Sequence, residues 1–352
     1  MTSNGNGSSN GARDGSGSMA PLEPGGALLR AGFPYVKTVG ARRISWLPTD
    51  IALGDDKRVY SLARFDVGGL IRVISYDDED LGGIGGGWTW PVSIVRDADE
   101  TLYISDEGQH KITVLEPDGE EVERWGEHGS DPGQLDRPSH MAFDSEQNLW
   151  VADTMNHRVQ RFSKDGKYIS SFGSHGADEG EFDMPWGIFI DHDDFVYVGD
   201  WRNDRVQKFT TDGEFVMAFG SSGDGDGEFN RPAGVAVDAH GDIYVADRGN
   251  DRIQLFDRTG RYVEQFHGDS TLGKMGRIYI LSNPKVLRLR DMASLEPQKL
   301  FRSPASIKLS EDGEMFVADY ASHRIQIYKK EAYPLTEAEL MVHPGAPSLS
   351  TV

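Results

Sequence analysis

The chain contains no cysteine. A disulfide framework is therefore excluded, and so is any metal centre built on thiolates. It also lacks an apolar run long enough to span a bilayer, and its N-terminus has no basic-then-apolar secretion pattern. The expectation is a soluble, cytoplasmic protein. Cationic side chains are in short supply: 36 Lys and Arg stand against 57 Asp and Glu, for a net charge of −21. Like charge repels nucleic acid and anionic membranes at long range, so only a locally basic site could engage them.

What is abundant is glycine, 42 of 352 residues, which points to many tight turns. The length fits either two ordinary domains or one large repeat architecture. Residues 1–32 are Gly-, Ser- and Asn-rich and have too little apolar surface to offset chain entropy, so a disordered tail is expected. Residues 332–352 read as a second, loosely held tail, with one helical turn over Leu335–Leu340.

Periodicity organises everything between. Prolines recur at Pro91, Pro138, Pro185, Pro232 and Pro304, at steps of 47, 47, 47 and 72. Aspartates Asp106, Asp153, Asp200, Asp247 and Asp319 keep the same steps. Pro48 opens a sixth, degenerate copy in which Val59-Tyr60-Ser61-Leu62 aligns with Leu102-Tyr103-Ile104-Ser105. Each unit holds four β-rich runs, as in Ser139–Phe143, Asn148–Asp153, Arg158–Phe162 and Lys167–Phe172. Turn signals such as Lys164-Asp165-Gly166 and Thr211-Asp212-Gly213 separate them. Four antiparallel strands repeated six times at this period predict an all-β, six-bladed β-propeller over residues 33–331.

The repeat, best preserved over Pro232–Phe256, reads P-x-G, an A-x-D turn, then I-Y-V-A-D-x-x-N-x-R-I-Q-x-F, and it resembles the NHL repeat. The last copy ends after Arg324-Ile325-Gln326-Ile327-Tyr328 without a fourth strand. Tyr35–Gly40 resembles the fourth strands of other copies and is predicted to complete that blade, which would remove exposed edges. The extra 25 residues before Pro304 are too few for another blade. Asn283-Pro284 supplies a cap and a first-turn proline, so a helical insertion is predicted over about 270–298. Its Lys274, Arg277, Lys285, Arg288 and Arg290 make it a candidate lid or docking element.

In a four-stranded blade the second–third turn and the blade-to-blade connection share one face, here called the top. The opposite turns, Asp97–Glu100, Asp118–Glu121 and Asp191–Asp194, are acidic and read as a solvated face. On top, three positions vary within the fixed frame, which is where a repeat protein writes an asymmetric site. Sixteen residues after each proline stand Arg64, Glu107, Thr154, Trp201, Arg248 and Tyr320. Just before each proline stand Leu47, Trp90, Arg137, Met184, Arg231 and Ser303. Two after it stand Asp50, Ser93, His140, Gly187, Gly234 and Ser306. The ligand site expected at the mouth of the central channel combines Trp90, Arg137, His140, Trp186 and Trp201 with Arg202, Arg231, Arg248, Tyr320 and Arg64. Aromatic and arginine side chains suit a peptide, a protein or an anionic small molecule. No cofactor and a monomeric state are expected.

Other chemistry is weaker. Each framework aspartate has a basic residue five positions on (Lys111, Arg158, Arg205, Arg252 and Arg324), and the degenerate copy loses both at once, as Ala63 and Gly68. That joint loss marks a structural pair. His110, His157 and His323 occupy equivalent turns and are expected to sit apart, so no metal site is assigned to them. Some propellers that this repeat resembles are zinc lyases cleaving α-hydroxyglycine peptides, with ligating histidines immediately after the blade proline. Here that place holds Thr49, Val92, Ser139, Trp186, Ala233 and Ala305, so no catalytic residue carries over. The run Asp224–Glu228 starts like a calcium loop, but its twelfth position is Val235, and it reads as a linker. Gly82–Gly87 lacks the residues of a phosphate loop. Beside a binding platform, two functions stay open: a lyase or hydrolase at the channel mouth, with or without a divalent metal, signalled by convergence of His140, Asp50 and Ser93, and RNA binding, which the resemblance to some animal NHL proteins implies and the net charge disfavours.

Overall fold

A computed structural model describes residues 27–335, apart from 42–43, 66–67, 272–273, 275–280, 283–284 and 286–295. Six four-stranded antiparallel sheets form the blades of a propeller. Blade 1 consists of Pro48–Gly54, Arg58–Arg64, Gly69–Ser75 and Asp80–Ile84. Blades 2 to 5 begin at Pro91, Pro138, Pro185 and Pro232. Blade 6 takes Pro304–Leu309, Glu314–Asp319 and Arg324–Lys329 from one end of the chain and Tyr35–Val39 from the other. The closing strand pairs antiparallel with its neighbour, Tyr35 opposite Tyr328 and Val39 opposite Ile325, as the sequence predicts. Each blade's first strand adjoins the first strands of the next and previous blades, so these six strands line the axis.

The core lies between blades because each sheet is apolar on both faces. Leu135, Phe182, Phe229 and Phe301 come from the blade-to-blade connections and are buried plugs, and Trp88 fills the same place before blade 2. Phe229 packs 5.4 Å from Phe256 and 6.4 Å from Phe219, ring centre to ring centre. The glycine ending each fourth strand makes room for the plug. At Gly220 the backbone has φ +94°, and an added Cβ would stand 2.3 Å from the Phe229 ring.

Two features differ from the reading of the sequence. Ala27–Gly32 and Glu331–Leu335, placed in the two tails, pair with each other as a two-stranded ribbon. Burial and charge fix it, since Arg30 Nε donates to Asp242 Oδ2 at 2.7 Å, and buried Lys330 pairs with Asp238 and, at 2.8 Å, with Asp242. Of the three acidic bottom turns, Asp97–Glu100 is more than a solvated face, whereas Asp118 is exposed and Asp191 half-buried. Asp97, Asp144 and Asp238, the first residue of their turns, are buried. Asp144, for example, accepts from Asn148 N–H and from Trp150 Nε1 and pairs with Arg161 at 2.7 Å. These are side chains that hold a turn by hydrogen-bonding its own backbone. The helical insertion over 270–298 lies mostly outside the described residues, of which Lys274, Leu281, Lys285 and Glu296–Lys299 are helical. The helical turn over Leu335–Leu340 and the tails beyond 27 and 335 also lie outside them.

Candidate functional site

The framework aspartates set the geometry of the top face. Asp247 closes the second strand of blade 5 and is wholly buried. Its carboxylate accepts from Asn230 N–H at 2.8 Å, Asn250 Nδ2 at 2.9 Å, Arg252 Nε at 2.7 Å and Gln254 Nε2 at 3.1 Å. Arg252 then reaches the carbonyls of Asp224, Gly225 and Glu228 in the preceding connection. Blades 3 and 4 repeat the arrangement around Asp153 and Asp200, and Asp319 binds Arg324 and Gln326 the same way. The paired charges are thus a structural lock between strand, turn and connection. A tight turn follows Asp153, Asp247 and Asp319 and begins with the residue at the sixteenth position.

A second device fixes the residue before each proline. Leu47, Arg137, Met184, Arg231 and Ser303 all adopt a left-handed backbone, with φ between 44° and 58°. Their N–H groups are held by the turn of the preceding blade: Arg137 by His110 Nδ1 at 3.1 Å, Met184 by His157 Nδ1 at 3.1 Å, Arg231 by Asp204 at 2.7 Å, Ser303 by Asp251 at 2.6 Å and Leu47 by His323 Nδ1 at 3.0 Å. The three equivalent histidines are therefore acceptors in the frame. Trp90 departs from the pattern: its N–H goes to Asp106 Oδ1 at 2.8 Å.

With both positions fixed, the variable side chains meet. The guanidinium carbons of Arg64 and Arg137 lie 5.2 and 5.6 Å from the Trp90 ring centre. Arg248 lies 5.0 Å from Tyr320 and Arg231 5.1 Å from Trp201, whose ring stacks on Trp186 at 5.9 Å. Cations over aromatic faces are attracted by the ring quadrupole, which holds these arginines in place without neutralising them. Glu107 is buried among them. Burial pushes its carboxyl up to about 7, against the opposing pull of Arg64, Arg137 and Arg248. Burial also holds the Arg248 guanidinium below its ordinary value, with Arg64 and Arg231 adding repulsion. The centre of this acidic protein is thus cationic, four arginines to one titrating acid. Trp201 adds a buried indole N–H that has no hydrogen-bond partner among the described residues. Arg202 is exposed and lies within electrostatic reach of His157 rather than with the central arginines.

Below this layer the channel is closed by a polar plug. Asp50 is fully buried and accepts from Ser93 Oγ at 2.7 Å, Ile94 N–H at 2.9 Å and Ser306 Oγ, with Lys308 Nζ 3.4 Å away. Burial raises the Asp50 carboxyl, but Lys308, His140, Ser306 and Ser93 together outweigh it and hold it below the usual carboxylate range. His140 is buried beside it, and burial pushes the imidazole down to about 4, so it is neutral at neutral pH. His140, Asp50 and Ser93 do converge, yet Ser93 Oγ donates to Asp50 and accepts Met141 N–H at 3.3 Å. No hydrogen bond joins Ser93 to His140 among the described residues, so the contact that would activate a serine is missing. On the far side of the axis, Gly187 lets the backbone close in: an added Cβ would stand 1.9 Å from the Ala233 carbonyl.

The ten sequence-derived residues thus separate. Eight form the cationic aromatic mouth, His140 belongs to the plug, and Arg202 is on the rim. Glu107, Lys308 and Ser306 were not selected, although Glu107 and Ser306 occupy the same variable positions as selected residues and could have been found from register alone. His110 and His157 do sit apart, but each has a partner histidine and an aspartate in the connection that follows, His128 with Asp136 and His175 with Asp183. Among the described residues, two side pockets lie on the other face, one lined by Phe189, Tyr244, Met315 and Lys330 and another by Tyr76, Phe316 and Lys329.

Comparison with known proteins agrees with this architecture. The model of the NHL repeat matches residues 135–162 and 229–256. No curated protein matches the chain. Among solved structures, the gluconolactonase of Xanthomonas campestris is similar with a TM-score of 0.58 and 14% identity, over 86% of this chain and 100% of that one. Virginiamycin B lyase of Staphylococcus aureus is similar with a TM-score of 0.54 and 13% identity, over 85% and 99%. A Bacteroides thetaiotaomicron protein of unknown function reaches 0.57 and 22%, over 89% and 75%. At these identities the likeness concerns the fold.

Proposed function

We propose that this chain, an NHL-repeat six-bladed propeller, is a binding platform whose top centre takes an anionic group of a peptide, a protein or a small molecule. The observation that carries the reading is the pair of guanidiniums of Arg64 and Arg137 on Trp90, with Arg248 close enough to act on the same buried Glu107. Guanidiniums held against aromatic rings keep their hydrogen-bonding edges for a carboxylate or phosphate. The acidic remainder of the molecule repels anions in general, so only a ligand that reaches the mouth gains from this cluster. We place this activity in the cytoplasm and in a monomer. No helix among the described residues is long and apolar enough to cross a membrane.

The test is fluorescence anisotropy with a labelled oligoglutamate peptide, competed by inorganic phosphate. A charged hydrogen bond contributes about 1.5–3 kcal/mol, so R137A and R248A should each weaken binding about 10- to 150-fold. Absence of binding, or binding that both variants leave unchanged, defeats the proposal. A second reading, a lyase or hydrolase at the mouth, draws on Glu107, whose carboxyl titrates near neutrality as a general acid or base must. A turnover screen in which E107Q abolishes activity without weakening peptide binding would favour it.

A further inference from the structure

We propose that the top rim carries two divalent-metal sites, each made of two imidazoles and one carboxylate, at the seams between blades 2 and 3 and between blades 3 and 4. The first is His110, His128 and Asp136, and the second is His157, His175 and Asp183. They correspond residue for residue at the 47-residue step.

The spacing suits a small tetrahedral ion. His110 Nδ1 and His128 Nε2 stand 3.3 and 3.6 Å from the same oxygen, Asp136 Oδ1. In the second site the corresponding distances to Asp183 Oδ1 are 3.6 and 3.9 Å. A zinc ion holds nitrogen and oxygen at about 2.0–2.2 Å, which places tetrahedral ligands roughly 3.4 Å apart. The two nitrogen-to-oxygen edges of each site are thus within about half an ångström of that spacing, and the three ligand atoms of each lie within 4.8 Å of one another. Two imidazoles and a carboxylate suit zinc and its neighbours better than the all-oxygen cations, and three protein ligands leave a fourth position open on the exposed rim.

The pattern of substitution singles out the same residues. His110 and His157 have a framework role, capping the next backbone N–H, which Asp204 and Asp251 perform in later blades. His128 and His175 have no comparable structural role. Their side chains are 63% and 69% exposed, and each lies against the framework histidine, ring centres 4.0 and 4.3 Å apart. At the next seam the three places hold Asp204, Ser222 and Asn230, so both imidazoles and the connection's carboxylate disappear together. Two seams hold the whole set, the blade 4–5 seam holds none of it, and the blade 6–1 seam keeps only the framework histidine, His323, with Trp46 in the carboxylate's place, so the exposed second histidine occurs only together with the carboxylate.

Loading has a local consequence. The Nδ1 lone pairs of His110 and His157 now accept the N–H groups of Arg137 and Met184. A metal takes those lone pairs, so the backbone of Arg137, which carries one wall of the mouth, responds to the ion.

The full chain, stripped with chelator, is titrated with Zn²⁺ by calorimetry, and with Co²⁺ to read coordination from its visible absorption. Wild type should take two zinc ions at these sites. H128A and H175A should each bind one fewer, and the H128A/H175A variant two fewer, with thermal melting unchanged because both side chains are exposed. The amide resonances of Arg137 and Met184 should shift on loading. D136N/D183N, which spares every histidine, should lose the same two ions. Fewer than two zinc ions on wild type, or zinc retained at wild-type stoichiometry by H128A/H175A, overturns the proposal.

Discussion

Removing the Asp247 carboxylate should be among the most damaging single changes in the molecule. D247A strips four donors of their shared acceptor and leaves Arg252, itself buried, facing a methyl group. Each orphaned donor costs about 1–3 kcal/mol, but the four share one carboxylate and do not add. Breaking a buried pair by deleting one partner costs about 3–5 kcal/mol, and about 4 kcal/mol is the expected loss. For a propeller of this size, 1 kcal/mol moves the midpoint by roughly 1.5 °C, so melting should fall by about 6 °C. Urea unfolding followed by tryptophan fluorescence gives the free energy, and calorimetry gives the midpoint. A double-mutant cycle with R252M adds the sharper check. Once Arg252 is gone, deleting Asp247 should cost at least about 1 kcal/mol less than it does alone. Blade 1 already lives without the pair, having Ala63 and Gly68 there. A loss under about 1 kcal/mol for D247A, or strict additivity in the cycle, would refute the view that this carboxylate holds turn, strand and connection together.

Three further outcomes are expected. F229A empties a plug between blades 4 and 5 and should cost about 3–5 kcal/mol in chemical unfolding, as buried aromatic truncations do. Glu107 protonates as pH falls through about 7, which deletes the one negative charge beside the arginines. Affinity for the oligoglutamate probe should therefore rise on acidification across that point, and E107Q should remove the step. Asp50 has a depressed carboxyl, so its stabilisation is fully present above the unfolded value of about 4 and is lost as pH falls through the lower folded value. D50N should flatten the acid limb of the stability–pH curve, and an unchanged limb would count against the plug.

Much of this was legible because the repeat supplies its own controls. The 47-residue step located the blades, the joint replacement of aspartate and basic residue by Ala63 and Gly68 identified the aspartate–arginine pair as structural, and the Tyr35–Gly40 likeness gave the closure. The mouth was legible for the same reason, as variation at fixed positions. What escaped the sequence depends on contacts between segments of unrelated register. The ribbon of Ala27–Gly32 with Glu331–Leu335 is chosen by buried Asp242 on another blade, which no local composition announces. Asp97 reads as a surface acid because a run of acids looks solvated, although it folds inward onto its own turn. Glu107 was in plain view at a variable position but was passed over, because a lone acid among arginines looks like a neutraliser until its burial is known.

The pairing of Tyr35 with Tyr328 has a consequence for biosynthesis. These partners lie some 290 residues apart, and at about 5–20 residues per second a ribosome needs roughly 15–60 s to supply the second after the first. Blades 1 to 5 are each contiguous in the chain and can form in order of emergence. The strand Tyr35–Val39 waits through all of them with an unpaired edge, and the circle shuts last. Folding of the nascent chain should accordingly show a late, concerted gain of protease resistance. A circular permutant opened at the seam between blades 3 and 4, with the native ends joined, would make that closing pairing local and bring the step forward.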